Sequence, residues 1–509
     1  ASCTYAQLNA AANILARKLV DLGVGPDVCV AVMIPRSIDM VVAVLAVLKA
    51  RGAYVPLDPQ YPASRLAYML KTSCAPVALV SDATASRFLE PDMADAAASM
   101  AGIIQLPLEP EPETSDSTCA ANLELTPRSP DSLAYVIFTS GSTGLPKGVA
   151  MVSGVLSNLI AWQHITLGAH PAVTLQFASL SFDVHFQELF SALSTGGSLV
   201  LVPEMVRKDF EMLLAVMETA RVERVFLPYV ALQALAEMAL ETRLLPRALS
   251  QVITAGEQLL CTRAVRALFA GLGPKSSLHN HYGPSETHVV TAAVLDGDPA
   301  AWPALPSIGF PIAKARCYVV DASGAVVPPG VPGELLIGGD VLARGYLHAP
   351  DLTAAAFVPD TLTPAAPLGA RLYHTGDMVR QLASGELEYL ARKSAMVKIR
   401  GHRVEVGEVE VVLGTHPAIQ SAVVVAQDAP GSTSSSPASR ILVAYLVAAA
   451  LSGSGGDPAV TPADLVDHVA ASLPSYMVPS AFVFMDHFPL TPSGKVARKA
   501  LPPPTHDAL

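Results

Sequence analysis

A strand-like run, Tyr135-Val136-Ile137-Phe138, leads directly into Thr139-Ser140-Gly141-Ser142-Thr143-Gly144-Leu145-Pro146-Lys147. The glycines let successive backbone N–H groups turn inward and the hydroxyls add donors, which together make a concavity for phosphate oxygens. Lys147 adds a point charge. The spacing is not that of G-x-x-x-x-G-K-[ST], because the glycines stand too close and no Gly-Lys-Ser/Thr opens a helix. Downstream, Asn280-His281-Tyr282-Gly283-Pro284-Ser285-Glu286-Thr287 places a carboxylate after a Gly-Pro turn, where it can share Mg²⁺ with phosphates. Tyr282 offers a flat face to a base. In Tyr373-His374-Thr375-Gly376-Asp377 an Asp behind a glycine can accept hydrogen bonds from both hydroxyls of a ribose, with Arg392 nearby in sequence. Pro489-Leu490-Thr491-Pro492-Ser493-Gly494-Lys495 sets a lysine on a glycine-containing turn, from which it can be delivered to a site built elsewhere. Taken singly, the last three also fit a common turn, a turn-capping Asp and a solvated Lys. Only the first stands alone.

Alternating apolar elements must position these groups. Thr4 can cap a helix through Leu8, Ala12, Leu15 and Leu19, a helical spacing. Val28–Ile34 reads as a buried strand, and Ser37–Lys49 as the next helix. Strand-like runs recur at Val77–Val80, Leu133–Phe138, Thr174–Phe177 and Val225–Leu227. This rhythm predicts an α/β fold of mostly parallel sheets with helices. Ala85–Pro130, Ala-rich and then acidic and Pro-rich, reads as surface connection. After Ile308 short strands at Arg316–Val320, Gly333–Gly338 and Glu386–Leu390 suggest a β-rich subdomain. From Val397 a small, mobile α+β domain follows, interrupted by Gly431–Ser436 and Ser452–Gly456, which read as loops. The expected division is a core over 1–390, a hinge at 391–395, a C-terminal subdomain over 396–501 and a linker at 502–509.

Composition excludes several classes. At 509 residues the chain is long enough for more than one domain, and 51% apolar against 15% charged residues excludes a disordered chain. Lys+Arg 33 against Asp+Glu 44 leaves −11, a poor start for a nucleic-acid binder. The six cysteines, Cys3, Cys29, Cys74, Cys119, Cys261 and Cys317, show no metal-ligand spacing and no disulfide framework, so they read as buried or inert thiols. The longest apolar stretches, Met40–Leu48 and Ile441–Leu451, fall short of the ~18 residues of a bilayer span. No signal peptide is apparent. The expectation is a soluble cytoplasmic protein with no nucleic-acid or membrane partner.

In their order along the chain these motifs resemble the adenylate-forming superfamily, and within it the adenylation domains of nonribosomal peptide synthetases. The likeness extends to Thr4–Leu8, Leu48–Asp58, Phe182-Asp183, Gly333-Glu334-Leu335, Ala343–Leu347, Val397–Gly401 and Leu473–Pro479. It implies activation of an amino acid with MgATP to an aminoacyl-adenylate, then transfer to a phosphopantetheine thiol on a carrier protein. By motif position Lys495 would bind the substrate carboxylate and the α-phosphate. Thr139, Ser140, Gly141, Ser142, Thr143, Gly144 and Lys147 would hold the β- and γ-phosphates, and Glu286 the Mg²⁺. Tyr282 would flank the adenine, and Asp377 would hold the ribose with Tyr389 and Arg392. Gly256, Asn280 and Thr287 complete the ATP site, and Lys398 would act in the thioester step. Ser394, Met396 and Ala497 depart from the family pattern, which leaves the adenylation residues intact and bears on the domain rotation. The chain opens some tens of residues inside the usual family beginning. Leu501–Pro504 resembles the linker to a carrier domain, so neighbouring synthetase domains are expected.

The resemblance also assigns Asp183 to the substrate α-ammonium and a pocket to Val184, Gln187, Phe226, Ile253, Ala255, His281, Val289 and Val290, closed by Lys495. Aryl and fatty acids would leave the Asp183 carboxylate unpaired and desolvated, so it selects amino acids; the alternative is an Asp that caps the helix after a strand. A lining of Val, Ile and Phe without a second charge disfavours charged side chains, and Phe226 with Gln187 as a floor leaves no room for an indole. Bacterial family members with nearly this lining are associated with L-proline. The expected substrate is L-proline or a relative such as methylproline or pipecolate. Alternatives are a small aliphatic amino acid, or a stand-alone acyl- or aryl-CoA ligase.

Overall fold

Helix starts follow side-chain capping. In this computed structural model, Thr4 caps the helix Tyr5–Asp21 by accepting from the Gln7 N–H, and Gln7 returns to the Thr4 N–H, a capping box. Ser37 caps Ile38–Lys49 in the same way. The structure describes residues 1–107, 121–140, 145–392, 396–429, 440–448, 460–489, 496 and 498–504. The expectations placed on Cys119, Gly141–Gly144, Ser394, Gly431–Ser436, Ser452–Gly456, Lys495, Ala497 and 505–509 therefore lie outside the described residues.

Contacts divide the chain into two compact units. The first comprises Ala1–Pro59, Leu66–Phe138 and Gly148–Ala391; the second comprises Gln60–Arg65, Thr139–Lys147 and Arg392–Leu509. Around the strand Cys29–Met33, the strands Ala53–Pro56, Val77–Ser81 and Gly102–Leu106 run parallel, as apolar runs alternating with helices require. The segment 85–130 corrects the reading of connection only. A helix Pro91–Ala97 buries Met93 and Ala96, and Gly102–Leu106 pairs with Val77–Ser81 as the outermost strand of the sheet. Its five residues alternate in exposure, so Ala- and Pro-rich surroundings hid a genuine edge strand.

A second seven-stranded sheet runs in the order Phe310–Pro311, Thr291–Leu295, Ser277–Tyr282, Gln251–Thr254, Arg224–Leu227, Val173–Gln176 and Ser198–Leu201, the last five mutually parallel. Antiparallel pairing of Ala315–Val320, Pro332–Gly339, Arg371–Gln381 and Phe357–Pro359, with Leu387–Arg392 alongside, makes the β-rich part. The second unit holds the hairpin Met396–Ile399/His402–Glu405 and a sheet of Ile419–Asp428, Arg440–Ala448 and Ala481–Phe484. Val406–Gly414 and Pro462–Ala470 are its helices, and Val409, Leu413, Leu442 and Leu465 lie in its core.

Cys29 and Cys261 are buried, with thiols raised to about 12 and about 11 by burial, whereas Cys3 and Cys74 are exposed. Cys3 precedes the first helix and Cys74 sits at a positive φ just past Ala63–Ser73. No helix among the described residues is long and apolar enough to cross a membrane.

Candidate functional site

Register assembles the first group of residues. Phe226, Ile253 and His279 are side-by-side partners across three parallel strands, so their side chains share one face of the sheet. Two residues on, Ala255 and His281 continue that face. Phe226 and Ile253 are each 1% exposed and pack with Leu167 and Val184. Gln187, expected on the floor, is buried and accepts a hydrogen bond at Oε1 from Gln163 Nε2 (2.7 Å). The Trp162 indole lies 5.3 Å from the His281 ring. Val289 and Val290 are buried beyond the Tyr282 loop, tied to it by Val290 N–H to the Tyr282 carbonyl (2.8 Å). Burial holds His281 well below the usual imidazole range, so it is neutral, and neither ring nitrogen has a partner among the described residues.

Asp183 stands at the start of the helix Val184–Leu193, yet its side chain does not cap that helix. Half-buried, the carboxylate makes no hydrogen bond or ion pair with a described residue, and the helix-capping alternative loses its support. The chain reaches Asp183 through a loop fastened from below. Glu188, fully buried, accepts the N–H groups of Phe177 (2.9 Å) and Ala178 (3.0 Å) and the Gln176 amide (2.8 Å). Arg36 donates to Gln176 Oε1 and to the Phe177 carbonyl. Burial lifts the Glu188 carboxyl to about 7 against the pull of these donors. Glu188→Gln turns an amide toward backbone donors and should cost about 1–3 kcal/mol at neutral pH. A melting temperature unchanged from that of the parent protein would refute the fastening role.

The second group sits on the opposite face of the strand Ser277–Tyr282. Tyr282 donates to Asp377 Oδ2 (2.6 Å), and its ring lies 6.4 Å from that of Tyr389. A register shift opposite Glu334–Leu336 aims Asp377: the strand bulges, Gly376 takes φ +70°, and Thr375 Oγ1 donates to the Leu335 carbonyl while accepting the Asp377 N–H. Asn280 donates to the Ser307 carbonyl (2.8 Å), and Gly256 has φ +91°. Glu286, fully buried, accepts from the Tyr346 hydroxyl (2.8 Å), and Thr287 N–H closes the turn onto the Pro284 carbonyl. Gly283 is obligatory there, since a Cβ would lie 1.7 Å from the His288 carbonyl oxygen. Among the described residues no cluster of three or more His, Cys, Asp or Glu is fit to hold a metal. One buried carboxylate nevertheless suits Mg²⁺ shared with phosphates, since that ion takes few protein ligands.

Other expected residues fall in the second unit. Thr139 ends the strand Leu133–Thr139, Ser140 is buried, and Lys147 opens Lys147–Val152. Arg392 ends Leu387–Arg392, and Lys398 lies in Met396–Ile399. Sequence reasoning missed Trp162, Gln163, Glu188, His288 and Tyr346. Each acts through a partner distant in the chain, so no local pattern marks it.

Comparison with known proteins bears on the fold. The AMP-binding enzyme family matches residues 1–347, and the AMP-binding enzyme C-terminal domain matches 408–495. Tyrocidine synthase 2 of Brevibacillus parabrevis is 38% identical over 99% of the chain and 13% of its own length. Phosphinothricin tripeptide synthetase PhsB of Streptomyces viridochromogenes is 41% identical over 99% of the chain and 40% of its own length. The chain thus spans only 13% and 40% of the lengths of these curated relatives. Among solved structures, the amide bond synthetase McbA from Marinactinospora thermotolerans superimposes with a TM-score of 0.82 at 26% identity, covering 98% of this chain and 94% of that one. Holo-PA1221, a nonribosomal peptide synthetase protein with adenylation and PCP domains, shares the fold at a TM-score of 0.78 and 24% identity over 97% and 78% of the two chains. With both family domains present in order, this chain belongs to the AMP-binding enzyme family, the adenylate-forming, AMP-producing ligases.

Proposed function

We propose that the chain is the amino-acid adenylation domain of a nonribosomal peptide synthetase, using ATP and Mg²⁺ and selecting L-proline or a close cyclic relative. The observation that carries the reading is Asp183, a half-buried carboxylate without a partner among the described residues, beside an apolar cluster of Val184, Phe226 and Ile253. A substrate α-ammonium would complete it, and an acid lacking the amine would not. Apart from neutral His281 and the Gln187 amide, the expected pocket positions are aliphatic or aromatic, which fits a compact apolar ring.

In the reaction a substrate carboxylate oxygen attacks the α-phosphorus of ATP. The new P–O bond forms as the bond from the α-phosphorus to the α,β-bridging oxygen breaks, and pyrophosphate leaves with that oxygen. Mg²⁺, held at Glu286 and the phosphates, would offset their charge. Asp377 holds the ribose in the orientation set by Thr375 and Tyr282, and Tyr282 with Tyr389 flanks the base. Thr139, Ser140, Gly141, Ser142, Thr143, Gly144 and Lys147 hold the outer phosphates, with Gly256, Asn280, Thr287 and Arg392 at the nucleotide. Lys495 stabilises charge moving from carboxylate to phosphate. A carrier-protein phosphopantetheine thiol then displaces AMP to give a thioester, a step in which Lys398 serves. The carrier protein is the partner of that step, and residues 391–395 would serve as the hinge.

ATP–pyrophosphate exchange with each proteinogenic amino acid, pipecolate, 4-hydroxyproline and several aryl acids tests the reading. Proline or a cyclic analogue should give the strongest exchange. A small aliphatic winner would keep the class and discard proline, and an aryl or fatty acid winner would replace the class with an acyl-CoA ligase.

A further inference from the structure

His288 lies immediately after the Glu286-Thr287 pair, buried and at φ +58°, in the left-handed region. Its backbone carbonyl packs over Gly283 and accepts from Thr287 Oγ1 (3.1 Å), so the main chain has one position available. The ring is equally constrained. Nδ1 accepts the Val289 N–H at 2.9 Å, and in the neutral imidazole this places the proton on Nε2. Nε2 lies 3.1 Å from the Asp183 carbonyl, which can only accept. A residue 105 positions away thereby ties the main chain of Asp183 to the loop that carries Tyr282 and Glu286.

We propose that His288 is a positioning residue for amino-acid selection: its Nε2–H grips the Asp183 carbonyl at the first turn of Val184–Leu193 and fixes the direction in which the carboxylate meets the substrate ammonium. The inference depends on the assignment of Asp183 given above. It explains a strained histidine where glycine or asparagine would rest more easily, since neither of those could bridge the two segments with a ring.

The test compares the amino acid that exchanges best in the panel with the same acid lacking its amine; for proline that is cyclopentanecarboxylate. His288→Gly removes the ring without backbone strain, and His288→Asn, which also tolerates positive φ, serves as a second variant should the first fold poorly. Losing one neutral hydrogen bond should raise the KM for the amino acid ~2- to 10-fold. The KM for ATP and kcat should stay within about twofold, and preference for the amine-bearing acid should fall by the same factor as the amino-acid KM rises. Equal changes in all three parameters, or an unaltered preference, would overturn the proposal. Asp183→Ala separates the two readings: if it keeps the amine preference, the assignment of Asp183 itself fails, and if it loses that preference while both His288 variants keep it, only the present inference does.

Discussion

Lowering the pH from 7 to 5 should cost the larger unit at least about 2 kcal/mol of stability, a sizeable share of what holds a domain together. His185, His279 and His281 are buried and neutral. Burial pushes His185 to about 3 and His279 to about 4, and holds His281 well below the usual range. Burial outweighs the hydrogen bond that His185 Nδ1 donates to the Phe182 carbonyl, which by itself would favour the charged ring, and Nε2 lies 2.7 Å from the Tyr54 hydroxyl. For a depressed pKa the stabilisation is present above the unfolded value, near 6.5, and is lost as the pH falls toward the folded one. Each unfolded histidine gains a proton over this interval that its native counterpart refuses, about 2 kcal/mol apiece for His185 and His279, and buried His281 and His288 act in the same direction. Glu188 works the other way. Its raised pKa of about 7 binds a proton more tightly in the native state and returns about 2 kcal/mol on acidification. Trp162 and Trp302, the two tryptophans, both belong to this unit, so urea unfolding followed by their fluorescence reads it directly. The transition midpoint should move sharply to lower urea at pH 5. Replacing His279 by Asn should shrink the shift, and Glu188→Gln should enlarge it. An equal midpoint at both pH values would refute the account.

Separating chemistry from nucleotide binding should give the largest kinetic effects. Lys495→Ala removes the cation assigned to the moving charge, and exchange should drop about 10²-fold or more, as with other preorganised charge donors. Nucleotide binding should survive, because Asp377, Tyr282 and Glu286 remain. Asp377→Ala is the converse. It removes the charged acceptor assigned to two ribose hydroxyls, each hydrogen bond worth about 1.5–3 kcal/mol, so the KM for ATP should rise at least about 10²-fold. The amino-acid KM should move little. Titration calorimetry with ATP alone distinguishes the two, and undiminished exchange in Lys495→Ala would remove that residue from its assigned role.

Most of the scaffold was legible because both of its signals are local. Apolar runs of strand length recur between helical spacings, and Thr4 and Ser37 announce their helices by capping chemistry. The strand Gly102–Leu106 escaped because one short edge strand among Ala and Pro residues leaves no periodic signature. At the site, Tyr282, Glu286 and Asp377 stood out through the glycines beside them, which the Gly283 approach and the Gly376 bulge require. His288 and Glu188 were invisible for the opposite reason. Each matters through the main chain of a partner that only the folded molecule brings near, His288 at Asp183 and Glu188 at Phe177 and Ala178.

The strand Ser277–Tyr282 points His279 and His281 to one side and Asn280 and Tyr282 to the other. On the proposed assignments, two ligand environments are written into alternate letters of one six-residue word. Substitutions at the odd-numbered positions can retune which acid is accepted while the even-numbered ones stay untouched. A lineage carrying such a strand can diversify its choice of building block without relearning how to hold its nucleotide. An insertion of a single residue in this strand, by contrast, would exchange the two alphabets and forfeit both at once.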